Sequence, residues 1–223
     1  MSTRVTDPTR AADAPGQARD ASPPALRLEP GGFLLVLSGP SGAGKGTLVE
    51  RLLVARPECV FSISATTRPK RTTEVDGVQY EFVAREEFER RRAGGAFLET
   101  AEVHGHWYGT PTRFVDDGVR AGRVVVLDVD VQGGASVRAA RPDAVTVFIL
   151  PPSIDALRQR LLGRRTDAPD VIERRLQDAP GEIQQYKDYD YLVMNDDLEA
   201  AVAGLVAIVD AERARVRRLR ART

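Results

Sequence analysis

Apolar runs separated by stretches with helical spacing form the main pattern along this chain. The first run, residues 32–38, is short and continuous, as is typical of a strand buried on both faces. Similar runs at residues 60–64, 124–129, 145–150 and 191–194 predict further strands. Because strands and helices alternate, the pattern predicts an α/β fold with a parallel sheet covered by helices on both faces.

Two segments depart from this alternation. Residues 66–112 are rich in Thr, Arg, Pro, Tyr and Gly, and their short strands predict a small antiparallel lobe inserted into the core. Residues 1–31 are rich in Ala, Pro, Asp, Arg and Thr and lack periodicity, so they bury too little apolar surface to fold. We expect a disordered N-terminal extension there, with no assigned role.

The C-terminal stretch, residues 198–222, has helical spacing and becomes strongly basic at its end. Its arginines are Arg213, Arg215, Arg217, Arg218, Arg220 and Arg222. Such a run could contact nucleic acid, but cations also suit the negative end of a helix dipole. Lys plus Arg equals Asp plus Glu at 32 each, so the overall charge requires no anionic partner. We favour a solvated helix end and expect neither nucleic-acid nor membrane binding.

The composition indicates a globular protein of the cytoplasm. The 223 residues are enough for one sizeable core. The one cysteine, Cys59, cannot form an internal disulfide, and we interpret it as a small core residue rather than a reactive thiol. The longest apolar stretch, residues 33–37, is far below the roughly 18 residues of a membrane span, and the N-terminus lacks a signal-peptide pattern.

A glycine-rich motif between the first strand and the first helix indicates phosphate binding. Residues 39–45 match the G-x-x-x-x-G-K pattern of a P-loop in the expected strand-to-helix context. Glycines let backbone N–H groups surround phosphate oxygens, the helix N-terminus adds a favourable dipole, and Lys45 supplies a cation. The nucleotide-binding residues predicted here are Gly39, Pro40, Ser41, Gly42, Ala43, Gly44, Lys45, Gly46 and Thr47.

The motif differs from the usual P-loop directly after the lysine. Gly46 stands where Ser or Thr is usual, and Thr47 follows one place later. We hypothesise that Mg²⁺ is reached through Thr47 or through water.

Two carboxylates at the end of a predicted strand are further candidates for the site. Asp128 and Asp130 follow an apolar run, where the carboxyl end of a parallel strand would face a ligand crevice. Residues i and i+2 lie on the same face of a strand, so both could point at the site. They could hold hydrated Mg²⁺ or bind a base edge. The alternative is that they cap the helix that follows.

Cations, hydroxyls and a phenol cluster after the second predicted strand. Ser64, Arg68, Arg71 and Tyr80 belong to this cluster. Arginine offers a planar fork to phosphate oxygens, and tyrosine adds an uncharged donor. The cluster therefore suits a second phosphate opposite the P-loop, with solvated surface arginines as the alternative.

Together, these motifs resemble the guanylate kinase family over residues 33–213. The matching segments are residues 39–47, 64–71, 77, 80, 97–101, 108–110, 127–133 and 193–197. The resemblance implies a P-loop NTPase-type fold with a monophosphate-binding lobe and a helical lid. The division it implies is an extension at 1–31, a core at 32–65, 113–155 and 176–223, a GMP-binding lobe at 66–112, and a lid at 156–175.

The resemblance also assigns the acceptor site. It implies that the GMP phosphate is bound by Arg68, Arg71, Tyr80 and Tyr108, and that the guanine is surrounded by Ser64, Glu99, Thr110 and Asp130. A carboxylate such as Glu99 can accept hydrogen bonds from guanine N1–H and N2–H₂ together, whereas adenine presents an acceptor at N1. A buried carboxylate left unpaired opposite adenine would disfavour that base strongly.

The segment 156–175 resembles the family's lid over ATP. Arg164 and Arg175 match arginines that approach the transferred phosphate, and Arg160 is a further candidate. Arg165 stands where a small residue is expected, so no role is assigned to it. The alternative for these arginines is a salt-bridged helical surface. Asn195 is expected to help position the adenine side.

The implied reaction is Mg²⁺-dependent transfer of the γ-phosphoryl group of ATP to GMP, and to dGMP, in purine nucleotide metabolism. The catalytic residues expected are Lys45, Arg68, Arg164 and Arg175, with no general base, because positioning and charge neutralisation account for most of phosphoryl transfer.

Three other functions stay open as alternatives: an inactive binding module, a kinase for another acceptor, and a nucleic-acid binder. His104 and His106 lack a third ligand and predict no metal site. The oligomeric state stays open.

Overall fold

A computed structural model describes residues 28–103, 105–163 and 169–221 of the chain. Its strands are β1 (Leu28–Pro30), β2 (Phe33–Ser38), β3 (Cys59–Phe61), β4 (Ser64–Thr66), β5 (Tyr80–Phe82), β6 (Phe97–Val103), β7 (His106–Pro111), β8 (Val124–Asp128), β9 (Val145–Leu150), β10 (Tyr191–Met194) and β11 (Leu219–Ala221). Its helices are α1 (Lys45–Ala55), α2 (Arg85–Ala93), α3 (Thr112–Arg120), α4 (Val131–Ala140), α5 (Ile154–Gly163), α6 (Pro169–Gln184) and α7 (Leu198–Arg213).

A parallel sheet with the order β10-β9-β2-β8-β3 forms the centre, which confirms the predicted fold class. Strand β2 is buried throughout, and its side chains alternate between two apolar layers. Phe33, Leu35 and Leu37 belong to the layer that also contains buried residues of α1 and α7. Leu34 and Val36 belong to the layer that contains residues of α3 and α4. Because helices cover both faces, ligands can reach the sheet only at its ends.

The inserted lobe is built on a second sheet with the order β5-β4-β7-β6. Strands β4 and β6 run antiparallel to β7, as predicted, but β5 runs parallel to β4. The chain makes a long excursion between β4 and β5, which allows β5 to return in the same direction. The predicted strand at 60–64 is two strands, because β3 ends in the core sheet and β4 begins the lobe. The lobe therefore starts at Ser64.

Helices α5 and α6 form the region predicted as a lid. They pack through a small apolar cluster of their own that contains Leu157, Leu161, Ile172, Leu176 and Ala179. Residues 164–168 lie outside the described residues, so the connection between the two helices is not described.

The first and last described segments pair in a two-stranded ribbon, which corrects two predictions. Helix α7 ends at Arg213, whereas helix was predicted to residue 222, and β11 follows after a short 3₁₀ turn. Strand β11 pairs with β1, so residues 28–30, which were assigned to the extension, are part of the ordered structure. Arg218 turns back to Glu212, which is 1% exposed, and this ion pair favours the turn over continued helix. No helix in the described residues is long and apolar enough to cross a membrane.

Candidate active site

A cleft lies where the carboxyl ends of the core strands face the inserted lobe and α6; we call it the central cleft. Its lining residues are Gly39, Ser41, Gly42, Gly44, Lys45, Gly46, Ser64, Arg68, Arg71, Tyr80, Glu99, Ala101, Val103, Tyr108, Asp128, Val129, Asp130, Gly133, Arg175 and Glu182. The fold thus brings the glycine-rich loop and the arginine-tyrosine cluster into one cavity, as the resemblance implied.

The loop between β2 and α1 has the backbone expected of a phosphate cradle. Gly39, Gly42 and Gly44 have φ values of 144°, 89° and 93°, a region that L side chains rarely adopt. A Cβ atom at Gly44 would lie 2.3 Å from the amide nitrogen of Asn195. Helix α1 begins at Lys45, so its first N–H groups and its positive dipole end belong to the same cradle.

Lys45 is held at the edge of this cradle. Its Nζ donates a hydrogen bond of 2.8 Å to the carbonyl of Gly39 and lies 3.9 Å from a carboxylate oxygen of Asp128. The loop and the end of β8 are therefore joined through one cation. Thr47, by contrast, is exposed and is not among the residues lining the central cleft.

Asp128 presents a carboxylate to the central cleft, and this is a type of ligand that Mg²⁺ prefers. Mg²⁺ is usually held by one or two carboxylates together with substrate phosphates and water. Among residues 28–103, 105–163 and 169–221, no group of three or more His, Cys, Asp or Glu is arranged to hold a metal. His104 lies outside those residues, so the pair that it forms with His106 in sequence is not tested.

Two residues from elsewhere in the chain hydrogen-bond to the phosphate loop. Asn195 is buried, and its amide nitrogen donates a 2.7 Å hydrogen bond to the carbonyl of Ala43. Arg160 donates to the same carbonyl at 3.1 Å and to the Asn195 carbonyl at 2.7 Å. Asn195 was expected on the adenine side and Arg160 near the transferred phosphate. Those expectations stay predictions. The contacts of both residues hold the phosphate loop, a role that no local sequence signal indicates.

A carboxylate organises the arginine cluster of the lobe. Glu74 accepts two hydrogen bonds from the guanidinium of Arg68, at 2.8 and 3.1 Å, and one from the backbone N–H of Arg71 at 2.8 Å. Burial raises the pKa of Glu74, but these hydrogen bonds outweigh it and keep the pKa below its usual value. The rings of Tyr80 and Tyr108 meet edge to face beside them. Sequence reasoning missed the function of Glu74 as the residue that orients Arg68.

The predicted base site contains a buried carboxylate. Glu99 on β6 and Thr110 on β7 face each other in the antiparallel register, and the Thr110 hydroxyl donates a 2.7 Å hydrogen bond to Glu99. Burial raises the pKa of Glu99, the hydrogen bond from Thr110 opposes this rise, and the charge of Asp130 adds to it. Ser64 lines the same part of the central cleft. The arrangement leaves Glu99 with hydrogen-bonding capacity for a ligand.

Asp130 caps a helix while it lines the central cleft. Its carboxylate accepts a 2.7 Å hydrogen bond from the backbone N–H of Gly133 in the first turn of α4. Asp130 therefore caps α4, while its predicted role at the base stays a prediction. Its carbonyl accepts from Ser38, which in turn accepts from the Tyr189 hydroxyl at 2.8 Å. These contacts fix the end of β2 and the start of α4 against each other.

Helix α6 contributes two charged residues to the central cleft. Arg175 donates a 2.8 Å hydrogen bond to the Ser41 hydroxyl, which places one predicted lid arginine at the phosphate loop. Glu182 lines the same region and was not predicted. Arg164, the other arginine expected to act on the transferred phosphate, lies outside the described residues.

The chain is similar to known proteins over most of its length. A model of the family described as guanylate kinase matches residues 32–212. A guanylate kinase from Symbiobacterium thermophilum is 52% identical over 187 residues, which cover 84% of this chain and 89% of that protein. One from Anaeromyxobacter dehalogenans is 53% identical over 186 residues, which cover 82% of each chain.

A solved structure supports the same assignment. The crystal structure of a guanylate kinase from Anaplasma phagocytophilum has a TM-score of 0.73 and 35% identity, and the match covers 86% of this chain and 92% of that one. The similarity to these guanylate kinases therefore extends to both sequence and structure, and it agrees with the fold and the phosphate loop described above. The chain belongs to the guanylate kinase family.

Proposed function

We propose that this protein transfers the γ-phosphoryl group of ATP to GMP, and to dGMP, giving ADP and GDP or dGDP. The observation that carries the proposal is a single cavity lined by both the glycine-rich loop around Lys45 and the lobe cluster around Arg68. A buried carboxylate suited to guanine lies in the same cavity. Two phosphate sites that face each other are the arrangement required for direct transfer between nucleotides.

On the donor side, the loop would bind the β and γ phosphates of ATP. The backbone N–H groups of the loop and of the first turn of α1 would surround the phosphate oxygens. Lys45 would exchange its contacts with loop carbonyls for phosphate oxygens. Arg175, already at Ser41, would neutralise charge on the transferred group, and Arg164 is proposed to do the same. Arg160 and Asn195 would keep the loop in the binding conformation.

On the acceptor side, the lobe would hold GMP. Arg68 and Arg71, with the hydroxyls of Tyr80 and Tyr108, would bind its phosphate. An oxygen of that phosphate then attacks the γ phosphorus of ATP directly. The P–O bond to ADP breaks as the new bond forms, so no protein nucleophile or general base is needed.

Magnesium is proposed as the cofactor, because the negative charge of the two nucleotides must be neutralised. When bound, Mg²⁺ would neutralise negative charge on the transferred phosphoryl group. Asp128 lines the central cleft and Thr47 does not, so Asp128, directly or through water, is the residue that we assign to it.

Guanine would be selected by Glu99 with help from Thr110, Ser64 and Asp130. The Glu99 carboxylate can accept from N1–H and N2–H₂ of guanine, while the hydroxyl of Ser64 or Thr110 can donate to O6. Adenine presents no donor at N1, so it would leave the buried carboxylate unpaired.

The proposed location is the cytoplasm. Cys59 is a free, buried thiol, and burial raises its pKa to about 11, so it is neither part of a disulfide nor a reactive thiolate. The substrates ATP and GMP are the only partners proposed.

A coupled assay of ADP formation tests the proposal. ATP and Mg²⁺ would be combined in parallel with GMP, dGMP, AMP, UMP or CMP, with the Lys45→Ala variant as the blank. We expect turnover with GMP and dGMP far above AMP, and its loss in the variant. Folded wild-type protein that binds GMP but turns over no acceptor would contradict the enzyme and favour an inactive binding module.

A further inference from the structure

Tyr189 lies between the 3₁₀ turn Gln185–Asp188 and strand β10, and it is not among the residues that line the central cleft. Its hydroxyl nevertheless donates a 2.8 Å hydrogen bond to the Ser38 hydroxyl, and Ser38 donates to the carbonyl of Asp130 at 2.9 Å. We call this pair of hydrogen bonds the Tyr189 bridge. Ser38 is fully buried, so the bridge is shielded from competing water.

The donor end of the Tyr189 bridge is the phosphate loop. Ser38 is the last residue of β2 and is followed directly by Gly39, the first glycine of the loop. The carbonyl of Gly39 accepts the 2.8 Å hydrogen bond from Lys45. A shift of Ser38 would therefore move the backbone that holds Lys45 at the proposed phosphate site.

The acceptor end of the bridge is the proposed base site. Of the residues assigned to guanine, Asp130 lies in the core, between β8 and α4, and the other three lie on strands of the lobe. A Cβ atom at Gly133 would lie 3.2 Å from the Asp130 carboxylate and 3.5 Å from the Glu99 carboxylate, so the two acids are neighbours. Asp130 therefore connects the base site to the core that carries the phosphate loop.

The Tyr189 ring is held in a way that fixes its hydroxyl. Phe148 packs edge to face against the ring with centroids 5.1 Å apart, and the Arg138 guanidinium lies 4.4 Å from the ring centroid. A Cβ atom at Gly134 in α4 would lie 2.4 Å from the Tyr189 hydroxyl oxygen and 3.0 Å from that of Ser38. Glycine weakens a helix interior relative to alanine, and here the space that it leaves admits the hydroxyl.

We infer that Tyr189 is a positioning residue, which sets the separation between the phosphate loop and Asp130 and thereby aligns ATP with GMP. This inference rests on the proposed function. In-line transfer requires the reacting atoms to be held close together, and a misplacement of about 1 Å can lower the rate roughly 100-fold. Each nucleotide keeps its own contacts without the bridge, so Tyr189 should affect the transfer step rather than the binding of either nucleotide alone.

The test compares wild type with Tyr189→Phe, which removes the hydroxyl and keeps the ring. Single turnovers with saturating Mg²⁺-ATP and enzyme in excess over GMP measure the rate constant of phosphoryl transfer, and calorimetric titrations measure the affinities for GMP and for Mg²⁺-ATP separately. We expect the rate constant to fall about tenfold, with each affinity within about twofold of wild type. Tyr186→Phe, at an exposed tyrosine in the preceding turn, is the matched control and should behave as wild type.

A second variant tests whether the effect runs through Ser38. Ser38→Ala removes the hydroxyl that both hydrogen bonds share, so it should lower the rate constant at least as much as Tyr189→Phe. Because the two substitutions break the same bridge, adding Tyr189→Phe to Ser38→Ala should lower the rate constant little further. Effects that multiply in the double variant would contradict the bridge.

The outcomes separate this inference from the proposed function. A wild-type rate constant in Tyr189→Phe, or a loss that follows only from weaker binding of one nucleotide, would overturn the positioning role and leave the proposed function intact. If wild type transfers phosphate to no acceptor, the function itself is wrong and the role of Tyr189 falls with it. If Tyr189→Phe does not fold, Ser38→Ala carries the same test.

Discussion

At the residue scale, Glu99 shows how a buried carboxylate can be kept available for a ligand. It is 8% exposed, and it accepts a 2.7 Å hydrogen bond from the Thr110 hydroxyl. A buried carboxylate with unfilled acceptor capacity is unfavourable by itself. Guanine would donate hydrogen bonds to this carboxylate and adenine would not, so the carboxylate would favour guanine over adenine.

Replacing Glu99 with glutamine tests this directly. The amide keeps the size of the side chain but offers one acceptor and one donor group in place of two acceptors. We expect kcat/KM for GMP to fall roughly 100-fold or more, since the variant cannot pair with both guanine donors. The control is Glu102→Gln, an exposed position on the same strand. An unchanged kcat/KM in Glu99→Gln would contradict the assignment of the base site.

The pH dependence of GMP binding follows from the same residue. Guanine requires the ionised form of Glu99, and burial raises the pKa of this group above its ordinary value. The ionised fraction therefore falls at a pH where an exposed carboxyl would still be charged, and the KM for GMP should rise before the pH reaches the range in which an exposed carboxyl titrates. Thr110→Val removes the hydrogen bond that opposes the rise in pKa, so the onset should move to higher pH.

The control for that profile is Glu99→Gln, which has no group to titrate at this position. Its KM for GMP should be high and nearly independent of pH over the same range. A wild-type KM that stays constant through this range would show that Glu99 is not the ionising group.

At the scale of elements, the phosphate loop depends on glycine for steric reasons. Gly44 combines a φ of 93° with a position where a Cβ would lie 2.3 Å from Asn195. Gly44→Ala should therefore reduce ATP affinity strongly and lower the free energy of unfolding by about 1–3 kcal/mol. Urea denaturation and ATP titration measure the two effects.

Gly204→Ala is the matched control for that substitution. Gly204 lies in helix α7, and a Cβ there would be 3.9 Å from Val193, an ordinary van der Waals contact. Alanine at a helical position should leave stability equal or slightly higher. If Gly44→Ala behaves like this control, the loop does not need the left-handed conformation.

The elements also show where sequence patterns are reliable. The predicted strands at 32–38, 145–150 and 191–194 correspond to β2, β9 and β10 of one parallel sheet, although Leu192 and Met194 of β10 are exposed. The run at 60–64 was wrong as one strand, since β3 and β4 belong to different sheets. An apolar run indicates a strand, but it does not indicate which sheet that strand joins.

At the scale of the whole molecule, Glu212 links the C-terminal segment to the core. It is 1% exposed and accepts hydrogen bonds from the Tyr191 hydroxyl at 2.7 Å, from Arg215 at 2.9 Å and from Arg218 at 3.1 Å. Burial raises the pKa of Glu212, but the hydrogen bonds from Tyr191 and Arg218 outweigh it and lower the pKa. The Glu212 carboxylate therefore stabilises the fold at any pH above the ordinary pKa of a carboxyl group. This stabilisation is lost as the pH falls through the lower pKa that Glu212 has in the folded protein.

Glu212→Gln should reduce the free energy of unfolding by roughly 2–4 kcal/mol at neutral pH, because it leaves the Arg218 guanidinium, whose side chain is 9% exposed, without its counter-charge. Thermal unfolding measures the effect, which should shrink in acid, where wild type also loses the charge. Glu199→Gln, on the exposed surface of the same helix, is the control. Equal stability of the two variants would mean that the terminal ribbon does not depend on Glu212.

Local sequence was sufficient for features that depend on neighbouring residues. The loop at 39–47 could be recognised because glycine spacing and a lysine at a helix start are all that a phosphate cradle requires. The residues around Arg68 and Glu99 were assigned through family resemblance, and the fold brings them into one cavity. Their assigned functions remain predictions.

Only the tertiary structure revealed how these groups are held. The supports of Ala43 come from Arg160 and Asn195, which are 117 and 152 residues away along the chain. Strands β1 and β11 pair across a similarly long separation. Such contacts involve common residue types with no local pattern. They exist because the sheet order and the packing of α5, α6 and α7 bring distant side chains together, and no short stretch of sequence contains that information.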